Sequence, residues 1–249
     1  MRLVVAGATG AVGAHLTERA RAAGHDVVPL SRSGGQDVST GAGLPEALRG
    51  ADVVVDVTSV TTTSTRTAVG FFTRATENLL AAGRDAGVGH HVVLSIVGID
   101  GETSGYYAGK VAQERLLADG PLPWTLLRAT QFHEFAGQIA ARTAVGPLVV
   151  VPAMRTATVA AEEVAAALLG LAEGPPRGRV PDLGGPEEAE LADLVRRRLA
   201  AAGRRGRVLR VPLPGRAGRR MRDGALLPGP GADRGRLTFD AWLAAAAVT

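Results

Sequence analysis

The sequence predicts an α/β protein with a doubly wound parallel sheet and a small C-terminal portion. Through the first 150 residues, short β-branched runs alternate with longer helical stretches. The runs are almost continuously apolar, as strands buried on both faces must be. A glycine-rich turn follows the first run directly, at Gly7.

Residues 3–6, 27–30, 53–57, 91–96 and 124–127 read as strands, and residues 11–23, 67–86 and 106–118 as helices. The glycine-rich stretch 34–50 has room for one abbreviated strand near Asp37-Val38 and a short helix at 45–48. Beyond Val151-Pro152 a helix is expected over 160–172, ended by Gly174-Pro175-Pro176 because proline cannot continue it. A strand at 179–183 follows, then a helix over 186–202 with acids in its first turn and arginines in its last, matching the helix dipole. Residues 207–211 read as a strand, 227–231 as a Pro/Gly-rich loop and 239–247 as a terminal helix. The expected division is a dinucleotide-binding domain over 1–150 and a small substrate-binding or lid portion over 151–249.

A chain of 249 residues that is 46% hydrophobic has ample material for a core. The absence of cysteine excludes disulfides, iron–sulfur clusters and thiolate zinc sites. The apolar run before Gly7 is only four residues, too few for the core of a signal peptide, and no apolar run approaches membrane-spanning length. The expectation is a soluble cytoplasmic protein, monomer or homodimer, with no membrane partner. The net charge of +4 invites a nucleic-acid reading, and residues 196–236 hold thirteen arginines against Asp223 and Asp233. That stretch has no aromatic residue and is interrupted by proline and glycine, so it reads as a solvated arginine surface and no nucleic-acid partner is expected. The histidines make no metal site: His90 and His91 are adjacent at a strand start and point to opposite faces, and His15 and His25 read as surface positions. His133 and Glu134 follow the strand at 124–127 and read equally as pocket residues or as a solvent-facing helix start.

Gly7-Ala8-Thr9-Gly10-Ala11-Val12-Gly13 lies between the first strand and the first helix. Glycines there permit a tight turn and close approach to a pyrophosphate, and the helix N-terminus supplies free N–H groups. Gly7, Thr9, Gly10, Ala11, Val12 and Gly13 are therefore the expected phosphate cradle of a Rossmann-type dinucleotide site. The second strand ends in Pro29-Leu30-Ser31-Arg32-Ser33, without the acidic residue that holds an unphosphorylated ribose. Arg32, nineteen residues after Gly13, is placed to pair with a 2′-phosphate, with Ser31 and Ser33 as hydroxyl donors, so NADP(H) is expected over NAD(H). Asp37 is expected beside the adenine.

Lys110 is the only lysine, and both tyrosines, Tyr106 and Tyr107, lie within four residues of it. A chain that otherwise uses only arginine keeps a compact ammonium here, whose pKa responds to its surroundings. Tyr106 and Lys110, four apart, share a helix face, so the ammonium is expected to lower the phenol's pKa toward working pH. Tyr107 competes with Tyr106 for the acid/base role. Ser95 ends the strand before this helix, at the carboxyl edge where ligands bind in open α/β sheets.

Gly7-x-x-Gly10-x-x-Gly13, Tyr106-x-x-x-Lys110 with Glu114 after it, and Pro123-Trp124-Thr125-Leu126-Leu127-Arg128 occur in that order. Ala129-Thr130-Gln131-Phe132 and Asp182-Leu183-Gly184-Gly185-Pro186 follow. Together they resemble the short-chain dehydrogenase/reductase superfamily, nearest its extended and atypical branches, which include the NmrA-like NAD(P)H-binding proteins. The resemblance implies a carbonyl reductase-type site acting on a small-molecule carbonyl. Tyr106 would exchange the proton with the carbonyl oxygen, and Lys110 would bind the nicotinamide ribose and lower the tyrosine pKa. Ser95 would orient the carbonyl, Thr58 and Ser59 would line the cofactor cleft, and Thr130 and Phe132 would flank the nicotinamide. Two other classes remain open at this point: a non-catalytic NADP(H)-sensing protein, and a sugar-nucleotide epimerase or dehydratase retaining NAD.

Overall fold

The computed structural model describes residues 1–204 and 206–246. The chain forms two compact units interleaved in sequence instead of meeting at residue 150. One comprises Met1–Arg128 and Val164–Val180, the other Ala129–Glu163 and Pro181–Thr249.

The first unit begins with β1 (Arg2–Ala6), α1 (Ala11–Ala22) and β2 (Asp26–Leu30), then α2 (Leu44–Ala47), β3 (Val53–Asp56) and α3 (Thr65–Ala86). It continues with β4 (His90–Ile96), α4 (Gly105–Ala118) and β5 (Trp124–Ala129). The sheet order is β5-β4-β3-β1-β2, with β1 paired in parallel to both β2 and β3, and β3 to β4. Valine, leucine and isoleucine dominate the strands; β3 is buried at every position and β4 at all but its last. Such strands fit a sheet covered on both faces. The abbreviated strand expected at 37–38 is only an isolated bridge between Asp37 and Ala42. The chain therefore leaves β2 without adding an outer strand and returns to pair β3 beside β1. That reversal makes the ends of β1 and β3 the topological switch point, where ligands bind in sheets of this kind.

Two devices fix α4 in place. Gly109 lets it close on α3: a Cβ there would lie 2.6 Å from the Phe72 ring and 2.8 Å from the Ala68 carbonyl. Arg128, at the end of β5, donates to Glu114 of α4 at 2.6 Å and to Asp100 at 2.7 Å, with its own side chain 4% exposed. Those two carboxylates hold the guanidinium above its ordinary pKa, and Arg128 holds Asp100 below its own.

Chain order then gives α5 (Glu134–Thr143), β6 (Ala144–Val145), β7 (Leu148–Pro152), β8 (Arg155–Thr156), α6 (Ala161–Glu173) and β9 (Gly178–Arg179). Next come β10 (Leu183–Gly184), β11 (Ala189–Glu190), α7 (Leu191–Ala201), β12 (Arg207–Val211), α8 (Gly215–Arg222), β13 (Asp233–Arg234) and α9 (Phe239–Ala246). Within the first unit, β9 pairs with β5. In the second unit, β10 pairs with Ala129 and with β13, β7 pairs with β12 and β6, and β8 pairs with β11.

The second unit departs from expectation in particular places. The single strand expected at 179–183 is two separate two-residue strands, because Pro181 lacks an N–H for a continuous ladder. The helix expected from 186 starts at Leu191, since Ala189 and Glu190 are drawn into antiparallel pairing with Thr156 and Arg155. Glu187 and Glu188 therefore precede the helix, and Asp193 is the acid of its first turn. α5, β7 and α8 form where the sequence pattern predicts no element; α8 is the centre of the arginine-rich stretch. Residue 247 of the expected terminal helix lies outside the described residues. Among those residues no helix is long and apolar enough to cross a membrane.

Candidate functional site

β1 delivers Gly7 to the switch point with φ +86°, a conformation glycine alone adopts at little cost. A Cβ there would also lie 2.8 Å from the Val57 carbonyl, and one on Gly13 would overlap the Gly7 carbonyl. Gly7, Val12 and Gly13 thus hold the turn together, while Thr9, Gly10 and Ala11 are exposed around its mouth. The N-cap of α1 is Gly10, and no side chain caps the helix. Its first-turn N–H groups stand open to an anion, which fits the pyrophosphate of a dinucleotide.

At the end of β2, Ser31 Oγ accepts from Gly34 N at 3.1 Å and contacts Ser33 Oγ at 3.2 Å. Arg32 is exposed and makes no ion pair among the described residues. Asp37 is committed locally: Oδ1 accepts from Ser39 Oγ at 2.7 Å and Ser39 N at 2.8 Å, bonds that lower its pKa with help from Arg32.

β3 continues through Val57 and Thr58 to Ser59, and Ser59 Oγ lies 2.9 Å from Tyr106 Oη. Because the Gly7 backbone packs on Val57 and Thr58, the phenol is bound to a residue adjoining the glycine turn. Tyr106 also meets Phe72 edge-on, with ring centroids 5.4 Å apart, and Tyr107 at 6.4 Å. The expected lowering of the phenol's pKa does not occur. Burial raises it; the Ser59 hydrogen bond opposes that rise, and the Asp56 carboxylate adds to it.

Lys110, expected beside the phenol, is instead turned into the protein and only 4% exposed. Its Nζ donates to Gln113 Oε1 at 2.8 Å, Leu94 O at 3.0 Å and Thr58 O at 3.4 Å, so all three donors face protein acceptors. Nζ also sits 4.5 Å from the centroid of the Phe72 ring. Gln113 Nε2 donates in turn to Asp56 Oδ2 at 2.8 Å, and Asp56 Oδ1 accepts from Thr58 N at 2.8 Å. Burial lowers the Lys110 pKa to about 8, with Asp56 and Glu114 resisting the fall. Next to this chain His91 is fully buried, and neither ring nitrogen has a partner. Burial takes its pKa down to about 4, against the pull of Asp56. His90 faces the other way, its Nε2 2.8 Å from Thr125 Oγ1. Ser95 and Thr58 keep hydroxyls that are buried and unpartnered.

Thr130 and Phe132 belong to the second unit. Thr130 Oγ1 donates to Ala157 O at 2.5 Å, and Phe132 is bridged to Val159. His133 is neither a pocket wall nor a solvent-facing start. It is fully buried, bonded to Thr158 Oγ1 at 2.8 Å and Leu237 O at 3.0 Å, with Phe239 and Trp242 against its ring.

Asp56, Phe72 and Gln113 are the site residues that sequence reasoning missed. A carboxylate ending a run of three valines, and an amide three residues beyond the only lysine, were the available signals. Cavity volume does not find this site. One cavity of 390 Å³ lies in the second unit around Glu187, Arg197 and Phe239, and one of 320 Å³ in the first around Trp124, Val111 and Arg128. Neither is lined by Tyr106 or Ser59. No cluster of three metal-ligating side chains occurs among the described residues.

A family model described as NAD(P)H-binding matches residues 35–175, more than half of the chain. Among solved structures, a short-chain dehydrogenase/reductase superfamily protein from Agrobacterium tumefaciens with bound NAD is 20% identical, covering 100% of this chain and 96% of that one, with TM-score 0.70. A UDP-glucose 4-epimerase from Thermus thermophilus in complex with NAD is 22% identical over 99% and 93%, with TM-score 0.68. An NADPH-dependent quinone oxidoreductase from Escherichia coli is 18% identical over 99% of each chain, with TM-score 0.67. At these identities the likeness is one of Rossmann-type fold. No curated protein matches the chain in sequence.

Proposed function

The chain belongs to the NAD(P)H-binding family, and from that premise we propose that it is an NADPH-dependent reductase of a ketone, quinone or related small-molecule carbonyl. The observation that carries this reading is the Tyr106 phenol, hydrogen-bonded to Ser59 at 2.9 Å beside the glycine turn. When bound, a reduced nicotinamide supplies the hydride. The open N-terminus of α1 would take the pyrophosphate, and Arg32 with Ser31 and Ser33 the 2′-phosphate; Asp37 would flank the adenine.

Tyr106 carries its proton at neutral pH, as any phenol does, and burial raises its pKa further above the ordinary value. A protonated phenol can deliver a proton to a carbonyl oxygen as that oxygen gains charge. Lys110 acts from beneath, tying Thr58, just beyond β3, and Leu94 of β4 to α4. Tyr106 is the tyrosine bonded to Ser59 beside the glycine turn, so the acid role goes to it.

The enclosed Lys110 and the buried Ser95 hydroxyl favour a second reading, a protein that binds NADP(H) without turnover. One experiment separates the two: NADPH consumption with menadione and 4-nitrobenzaldehyde as acceptors, in wild type and Tyr106→Phe. The reductase reading expects turnover in wild type and a loss on the order of 10³-fold in the variant, with NADPH affinity unchanged. Tight NADPH binding without turnover in wild type supports the second reading. Equal turnover in both proteins removes Tyr106 as the acid.

A further inference from the structure

We propose that Ser59 is the positioning residue for Tyr106, aiming the phenol and connecting it to solvent protons. The proposal deepens the reductase reading and rests on it. The serine expected to neighbour the reacting centre, Ser95, is 3% exposed, and its hydroxyl has no partner. Ser59 is instead the residue that meets the phenol, at 2.9 Å, and it is exposed while the tyrosine is half-buried.

Its backbone is held by the residues before it. Val57 N donates to Ala6 O at 2.9 Å, Thr58 N donates to Asp56 Oδ1 at 2.8 Å, and Thr58 O accepts from Lys110. A serine fixed in this way can hold a phenol to one orientation, because its hydroxyl both donates and accepts. Around the phenol, β3 contributes Asp56, α4 contributes the Tyr107 ring, and α3 contributes the uncharged Phe72.

The proton transfers balance at every atom. As the carbonyl carbon takes the hydride of a reduced nicotinamide, the Tyr106 O–H bond breaks and the substrate oxygen gains that proton. The phenolate then takes the Ser59 hydroxyl proton, and the serine oxygen recovers one from water. The net consumption is one hydride and one solvent proton per carbonyl.

The chain has only two tyrosines, which gives a test that needs no cofactor or substrate. In Tyr107→Phe the phenolate absorbance of Tyr106 can be titrated alone, with circular dichroism following the fold. Adding Ser59→Ala is expected to move the midpoint to higher pH, because the phenolate loses a hydrogen bond that favours it, and Ser59→Thr to restore it. An unmoved midpoint overturns the proposal. With NADPH and menadione, Ser59→Ala is expected to lower kcat about tenfold while leaving the KM for NADPH in place, and the threonine variant to recover kcat. Unchanged kcat in Ser59→Ala also overturns it. Full turnover in Tyr106→Phe would instead sink the general-acid reading, a result separable from either Ser59 outcome.

Discussion

Tyr106 and Lys110 stand one helical turn apart on the same face of α4, yet they end in opposite circumstances. The phenol reaches the rim of the sheet and meets an exposed serine. The ammonium points beneath the rim and meets Gln113, Leu94 O and Thr58 O, with Asp56 one bond further on. The rim has groups left over for a ligand: the uncapped start of α1, Arg32 and the Ser59–Tyr106 pair. The ammonium beneath it has none to spare, since all three of its donors are taken by protein acceptors. The difference teaches that a residue's spacing from a catalytic partner does not determine whether it performs chemistry or holds the scaffold. Substitution should therefore separate the regions, with stability falling for the centre and binding or turnover for the rim.

The largest effect is expected at the centre. Lys110→Met leaves Asp56 without its cation and strips a donor from two buried carbonyls, which should lower unfolding free energy by about 3 kcal/mol in urea melts. Adding Asp56→Asn should recover part of that loss. A Lys110→Met protein as stable as wild type would break the contrast. Wild type should also gain stability between about pH 8 and 10.5: there the unfolded lysine still holds a proton that the folded one has lost, so raising the pH relieves a burial penalty. Lys110→Met should lack that gain.

His91 sharpens the same side. Its folded pKa is depressed to about 4 from an ordinary 6.5, so between those values the unfolded chain binds the extra proton. Stability should fall as pH drops through that window, by on the order of 3 kcal/mol, and His91→Leu should flatten the decline in thermal melts. An acid limb identical in both proteins would place the sensitivity elsewhere.

The smallest effect belongs to the rim. Arg32→Ala should weaken NADPH binding about tenfold, with little change for NADH, and leave the melting temperature where it was because the side chain is exposed. Fluorescence titration with both dinucleotides measures it. Unchanged NADPH affinity would remove Arg32 from the 2′-phosphate site.

The strands β1 to β5 and the helices α1, α3 and α4 were legible because the strands are short, nearly continuous apolar runs and the helices are longer stretches between them. The glycine turn was legible because its three glycines meet steric demands set within a few residues. The second unit was harder to read. Two-residue strands such as β8 and β11 carry no periodicity, and Ala189-Glu190 is drawn from helix into strand only because Arg155-Thr156 lies opposite. At the site, Tyr106 was legible as one of two tyrosines beside a unique lysine. The direction of its pKa shift was not, because that depends on how much water α3 excludes.

By itself the chain determined where the long strands and helices of the first unit run, and where its glycine turn lies. Those are short-range properties of side-chain pattern and backbone freedom. Only the tertiary structure decided that Ser59 and not Ser95 meets the phenol, and that Lys110 binds Gln113 above a buried Asp56. Those contacts join residues 47 and 57 positions apart. They exist because β3 and α4 pack to a separation that no local sequence pattern encodes.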